Sequence, residues 1–180
     1  MSPAALIALF LASAQPALPR ALVNPGFEAG APDTAHQAPL HGWSLHPARG
    51  YRAVVMANTD YGAMRAPAGR QRLFLGYFAR NGPDRGSWVG VSQTVDARRW
   101  RGRRIRVSVA ANPAHFAAHR AWLTVQSGSI IARQGFDQVE QWRRYAVELE
   151  IPRDATSLTI GIGTNGDVNV DDVRIEAVRR

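Results

Sequence analysis

Apolar and polar residues alternate along most of this chain, and the alternation has a period of two. In residues 88–95, Val89, Val91 and Val95 share one face, while Trp88, Gly90 and Ser92 share the other. Residues 104–110 turn Ile105, Val107 and Val109 inward, and residues 121–126 do the same with Leu123 and Val125, leaving Trp122 and Thr124 facing away. Such patterns predict half-buried strands. Further short strands are expected at residues 22–23, 51–56, 71–78, 129–133, 141–151, 157–163 and 168–178. Turn residues separate them, among them Asn24-Pro25-Gly26 and Asn165-Gly166, which take tight backbone conformations at little steric cost. Near-regular spacing, no helical period and no internal repeat predict an all-β chain folded as an antiparallel β-sandwich.

The last strand carries an irregularity. Val168 and Val170 alternate in step, Val173 and Ile175 resume one residue out of step, and Asp171-Asp172 sits at the slip. Adjacent carboxylates inside a strand are unfavourable unless compensated. A β-bulge aiming a carboxylate at a cation accounts for both features. A solvated edge strand with a charged tip is the alternative.

Composition narrows the chemistry. The chain has 180 residues, 46% of them hydrophobic, which suits one domain with a real core. Cysteine is absent, excluding a disulfide framework, a thiolate zinc site and a cysteine nucleophile. The net charge is +8, and all 22 basic residues are arginine. A basic surface suits nucleic acid, acidic glycans or the bacterial envelope, but no nucleic-acid motif accompanies it, and no specific nucleic acid is expected. Arg98, Arg99, Arg101, Arg103, Arg104 and Arg106 surround Trp100; they either contact phosphate or acidic glycan, or form a solvated hairpin loop whose stems cover apolar surface. His115 and His119 are four apart but follow Asn112-Pro113, a loop signal, and lack the glutamate of a metalloprotease helix. No Gly-x-Ser-x-Gly elbow is present.

The N-terminus is different in kind. Residues 4–12 are apolar and uncharged, and Ala12-Ser13-Ala14 follows with a small-x-small cleavage pattern. The run is too short to span a bilayer. An export signal is expected at residues 1–14, a linker at 15–20 and a single domain at 21–180. The mature domain would be secreted or periplasmic, with no transmembrane segment.

Several short motifs occur in a telling order: Leu22-Val-Asn-Pro-Gly-Phe-Glu28, Gly42-Trp43, Gln93, Trp142-Arg-Arg-Tyr145, Ile151-Pro152 and Val170-Asp-Asp-Val173. In this order they resemble carbohydrate-binding modules of the family 4/9/22 type, which are galactose-binding-like jelly rolls. Residues 93–97, 101–106 and 142–145 also resemble jelly-roll domains appended to bacterial esterases and regulators. The resemblance implies that the first and last strands are neighbours, with a structural calcium where they meet. Its acidic candidates here are Glu28 and Asp171, and after them Asp172. The resemblance also makes Trp43 and Trp142 core residues.

Trp88 and Trp122 are left as candidate ligand platforms. Flat indoles bind the apolar faces of sugars by dispersion and stacking. Tyr51, Tyr61 and Tyr77 are candidates for additional hydroxyl contacts. Alternatively, loops cover the second face and the tryptophans pack beneath them. The function expected is non-catalytic binding of a carbohydrate or acidic glycan outside the cytoplasm. Its competitors are an envelope structural or interaction domain without a sugar site, and a small glycan-active enzyme, against which the missing nucleophile motif counts.

Overall fold

Alternating side chains can bury only one face of a strand, so two sheets must meet face to face. A computed structural model of the chain describes residues 17–29, 35–36, 40–46, 50–58, 65–77, 87–113, 120–137 and 140–178. The expected export signal, Tyr61, His115 and His119 lie outside the described residues. Eleven strands are present among them: β1 (Ala35–His36), β2 (Ser44–His46), β3 (Tyr51–Ala57), β4 (Gln71–Tyr77), β5 (Val89–Asp96), β6 (Arg104–Pro113), β7 (Ala121–Ser127), β8 (Ile130–Gly135), β9 (Arg143–Glu150), β10 (Ser157–Thr164) and β11 (Val168–Ala177). A six-stranded sheet runs β1-β3-β4-β11-β6-β9 and a five-stranded sheet runs β2-β5-β10-β7-β8. Every pairing is antiparallel. The architecture is the expected jelly-roll sandwich.

The two inner faces form one core. Val89, Val91, Val95, Ile105, Val107, Val109, Leu123 and Val125 are all buried in it, together with Leu158, Ile160 and Ile162 from β10. Burying one such side chain is worth about 1.5–3 kcal/mol, against about 0.2–1 kcal/mol for a cross-strand surface pair. The inner residues therefore fix the register, since a slip of one would expose them all.

Polar residues also occur at the inner parity, among them Gln93, Ser127 and Thr164. Gln93 is buried, yet its amide is fully used: Nε2 donates to the carbonyls of Val23 (2.9 Å) and Gly42 (2.8 Å), and Oε1 accepts from the Val23 N–H (2.7 Å). Residues 22–23 are thus held by a side chain rather than by a strand ladder, and the strand expected there does not form. β1 and β2 lie in a region whose sequence reads as loop. Trp43 is core as expected, its Nε1 donating to the Asn24 carbonyl at 3.1 Å. Trp142 is only half-buried, ahead of β9, and is not the full core residue expected.

The slip in the last strand is a bulge. Asp171 pairs with Ala110 and Arg174 with Ser108, so three steps on β11 span two on β6. Asp172 is the extra residue, with φ at +50°. The bulge turns neighbouring carboxylates to different surroundings.

Candidate functional site

The outer face of the five-stranded sheet is built from small and polar residues. Across β2, β5, β10, β7 and β8, one row reads His46, Gly90, Gly163, Trp122, Gly135. The next row reads Ser44, Ser92, Gly161, Thr124, Arg133. Side chains at the middle of this face are short, so it lies low beneath anything that rises beside it.

Two indoles rise at one end. Trp88, just before β5, is 45% exposed, and Trp122 on β7 is half-buried. Their ring centroids are 6.1 Å apart and the planes are inclined by 55°. Each lies over a glycine: a Cβ on Gly90 would come within 2.7 Å of Trp88 Cζ3, and one on Gly163 within 2.8 Å of Trp122 Cε2. No side chain other than hydrogen leaves room for the rings in this position. The parity of β5 and β7 thus puts both indoles on the outward face, as the alternation requires. The His46 ring stands 6.0 Å from Trp88, with Nε2 2.7 Å from Ser92 Oγ. Over Trp122 lies the Arg133 guanidinium, its carbon 4.2 Å from the ring centroid.

The tyrosines do not join this platform as a group. Tyr51 is a core residue of the other sheet, and its hydroxyl donates to the Asn165 carbonyl at 2.8 Å. This corrects the expectation of a ligand contact: Tyr51 shares the inward parity of Ala53 and Val55, which the sequence already displays. Tyr77 ends β4, on the opposite sheet.

At the bulge, Glu28 and Asp171 come together although 143 positions separate them in the chain. Both flank Gly26, whose Cβ would lie 3.5 Å from Asp171 Oδ1 and 3.7 Å from Glu28 Cγ. Glu28 Oε1 accepts from the N–H groups of Arg70 (2.9 Å) and Gln71 (3.1 Å). Asp171 is 1% exposed; its Oδ1 accepts from the Asp172 N–H at 2.7 Å, while Oδ2 is buried without a partner. Burial first, with the charges of Asp172 and Glu28, pushes the Asp171 carboxyl up to about 7, against the opposing N–H groups of Asp172 and Ala68. Asp172 faces elsewhere. It receives Arg174 Nε at 2.9 Å and the Arg144 guanidinium, and these arginines hold its carboxyl below the usual range against the opposing effect of burial. Asp172 is therefore an ion-pair residue rather than the metal candidate expected, because the bulge rotates it away from Asp171.

The arginine run is a capped sandwich end. Trp100 within it is buried, in a 3-10 turn (Arg98–Trp100), and Arg99 lies 3.9 Å over its ring. Arg98 binds Asp96 through Nε and Nη2, and this hydrogen bonding holds the Asp96 carboxyl down at about 2. Arg101 Nε donates to the Ala155 carbonyl at 2.6 Å. Arg104 pairs with Glu148 at 3.0 Å, and Arg106 stands in register between Glu148 and Glu176. Arg98, Arg101 and Arg104 thus spend their heads on acids or carbonyls, a pattern in keeping with the hairpin-loop alternative.

No protein-family model and no curated protein matches the chain. Solved structures match it in shape. A family 61 carbohydrate-binding module, solved in complex with beta-1,4-galactotriose, aligns with a TM-score of 0.60 at 16% identity over 88% of this chain and 99% of its own. What the chain shares with this module is the jelly-roll fold. The CBM22-1 xylan-binding domain from Paenibacillus barcinonensis Xyn10C aligns with a TM-score of 0.54 at 16% identity, over 91% of this chain and 99% of that module. The same jelly roll also occurs inside a larger protein. The enzymatically active domain of tailspike protein 4 of bacteriophage CBA120 aligns with a TM-score of 0.64 at 12% identity, and this chain spans only 21% of it. The module fold thus comes both alone and as one part of a longer chain.

Proposed function

We propose that this chain is a carbohydrate-binding domain that acts outside the cytoplasm and breaks no bond. The ligand lies on the outer face of the five-stranded sheet, against Trp88 and Trp122. One observation carries the reading: two indoles, each over a glycine, stand 6.1 Å apart at the edge of a low polar face. Leaving so much apolar area in water is unfavourable unless something covers it. Sugar rings suit such a face, since their C–H surfaces stack on an open indole such as Trp88 and their hydroxyls bond short side chains such as Ser92 and Thr124. That one module of this fold was solved with galactotriose and another is named as xylan-binding supports the same ligand class.

A structural calcium fits the Glu28–Asp171 junction. The unpartnered, buried Oδ2 of Asp171 is an oxygen that a hard cation would satisfy. Among the described residues no group of three acidic or histidine side chains surrounds the junction, so backbone carbonyls would supply the other ligands. The ion would lock the first turn of the domain to its last strand.

A glycan array followed by affinity electrophoresis tests the binding reading. Retardation of the protein by one or more polysaccharides supports it. A protein that no glycan retards would overturn it. Intact mass from the native host should show loss of the N-terminal segment near Gln15; a full-length cytoplasmic product would overturn the export reading.

A further inference from the structure

The two indoles of the platform are not equivalent, and the difference bears on which sugar they receive. Trp88 leaves 45% of its surface open. Trp122 does not offer a bare ring: the Arg133 guanidinium lies 4.2 Å over its centroid. A neutral sugar stacking there would have to displace that cation and forfeit the cation–π contact. What the position presents outward is a planar fork of N–H donors.

That fork is unspent. Among the described residues, no carboxylate or carbonyl accepts from the Arg133 side chain, and none accepts from the side chain of Arg120. Both line a cavity of about 380 Å³ beside Trp122, together with Phe136 and Asp137. Asp137 is the cavity's acid, but it forms no ion pair with either arginine. Other arginines of the surface are spent: Arg98, Arg104, Arg144 and Arg174 each hold an aspartate or glutamate. What sets Arg133 apart is its place: an unmatched guanidinium held over an indole at the wall of a cavity.

Resting on the carbohydrate reading above, we propose that the site selects a carboxylate-bearing sugar, with the pyranose face on Trp88 and the uronate carboxylate on the Arg133 fork. A guanidinium matches a planar carboxylate with two parallel N–H···O bonds, which a sugar hydroxyl cannot reproduce. Stacking on Trp122 holds the guanidinium in place beforehand, so less side-chain freedom is lost when the ligand arrives. Arg120 adds charge at the cavity rim, and Asp137 opposes it.

The test is titration calorimetry with hexamers of alginate and galacturonate and with glucuronoxylan oligosaccharides, each beside its carboxyl-reduced, neutral counterpart. The expected result is that at least one acid binds about tenfold or more tightly than its reduced form, and that the preference weakens with added salt. Arg133→Gln should bring the acid down to the affinity of the neutral form without moving the melting curve, and Asp137→Asn should tighten acid binding. Equal affinity for the acid and reduced forms would overturn the proposal while sugar binding stands. A preference for sulfated glycans over every uronate would also overturn it. If no oligosaccharide of either kind binds and the array is empty as well, the carbohydrate reading fails and takes this proposal with it.

Discussion

Gly90 and Gly163 are cross-strand partners on the outer face of the five-stranded sheet, and each lies under an indole. Glycine weakens a strand interior by about 0.5–1 kcal/mol relative to alanine. Two of them side by side at the middle of a sheet make sense where something must lie close to the backbone. Here that is Trp88 and Trp122, so the glycines and the tryptophans are one device.

Alanine at these glycines should separate support of the platform from support of the fold. At Gly163 the atoms nearest the new Cβ all belong to the Trp122 ring, the first at 2.8 Å. Gly163→Ala should tilt the ring away, weaken ligand binding, and change stability by no more than about 1 kcal/mol, because the entropy gained offsets part of the clash. At Gly90 the Cβ also meets the Ile162 carbonyl oxygen at 2.7 Å, which is backbone and cannot swing aside. Gly90→Ala should therefore cost about 2–3 kcal/mol, the range for strain inside a packed sheet. Urea unfolding of both variants checks the contrast.

Tyr51→Phe should leave ligand affinity unchanged. The hydroxyl bond to the Asn165 carbonyl is lost while the ring stays in the core, so stability should fall by about 1 kcal/mol, the usual net worth of such a bond. A changed binding isotherm with an unchanged melting curve would return Tyr51 to the ligand site.

The Glu28–Asp171 junction predicts a pH dependence with a definite sign. The folded Asp171 carboxyl titrates at about 7, above its ordinary value of 3.8. Between these values the folded state keeps a proton that the unfolded state has lost. In chelator, stability should therefore fall as pH rises from about 4 to about 7, and this contribution levels off above that. Calcium takes the ionised form, so the stabilisation it confers should grow as pH rises through 7. Melting curves in chelator and in millimolar calcium, at pH values on both sides of 7, test this. Identical curves at alkaline pH would remove the calcium from the account.

The sequence displayed the outer platform because period two is unforgiving. With Leu123 and Val125 inward, Trp122 had one place to go. The same rule was available for Tyr51 through Ala53 and Val55, and would have put its ring in the core. Trp100 was hidden for another reason: arginines flank it, and only the folded 3-10 turn shows that they roof a buried indole. The slip at Asp171-Asp172 announced a bulge but not its direction. Which carboxylate faced Glu28 depended on the left-handed backbone of Asp172, on Arg174 two residues further along the same strand, and on Arg144, which approaches from β9. Arg133 over Trp122 was likewise invisible, since β7 and β8 had to pair in one register to bring them together.

The central claim is that Trp88 is a binding surface with little structural work of its own. The most direct measurement is a paired melting curve and binding isotherm for Trp88→Ala, using a glycan that the native protein binds. An exposed ring leaves no sealed cavity when removed, so stability should change by less than about 1 kcal/mol. Affinity should fall by about 1–3 kcal/mol, the order of one flat ligand ring stacked on an aromatic. A Trp88→Ala protein that binds as tightly as the native chain would contradict the account.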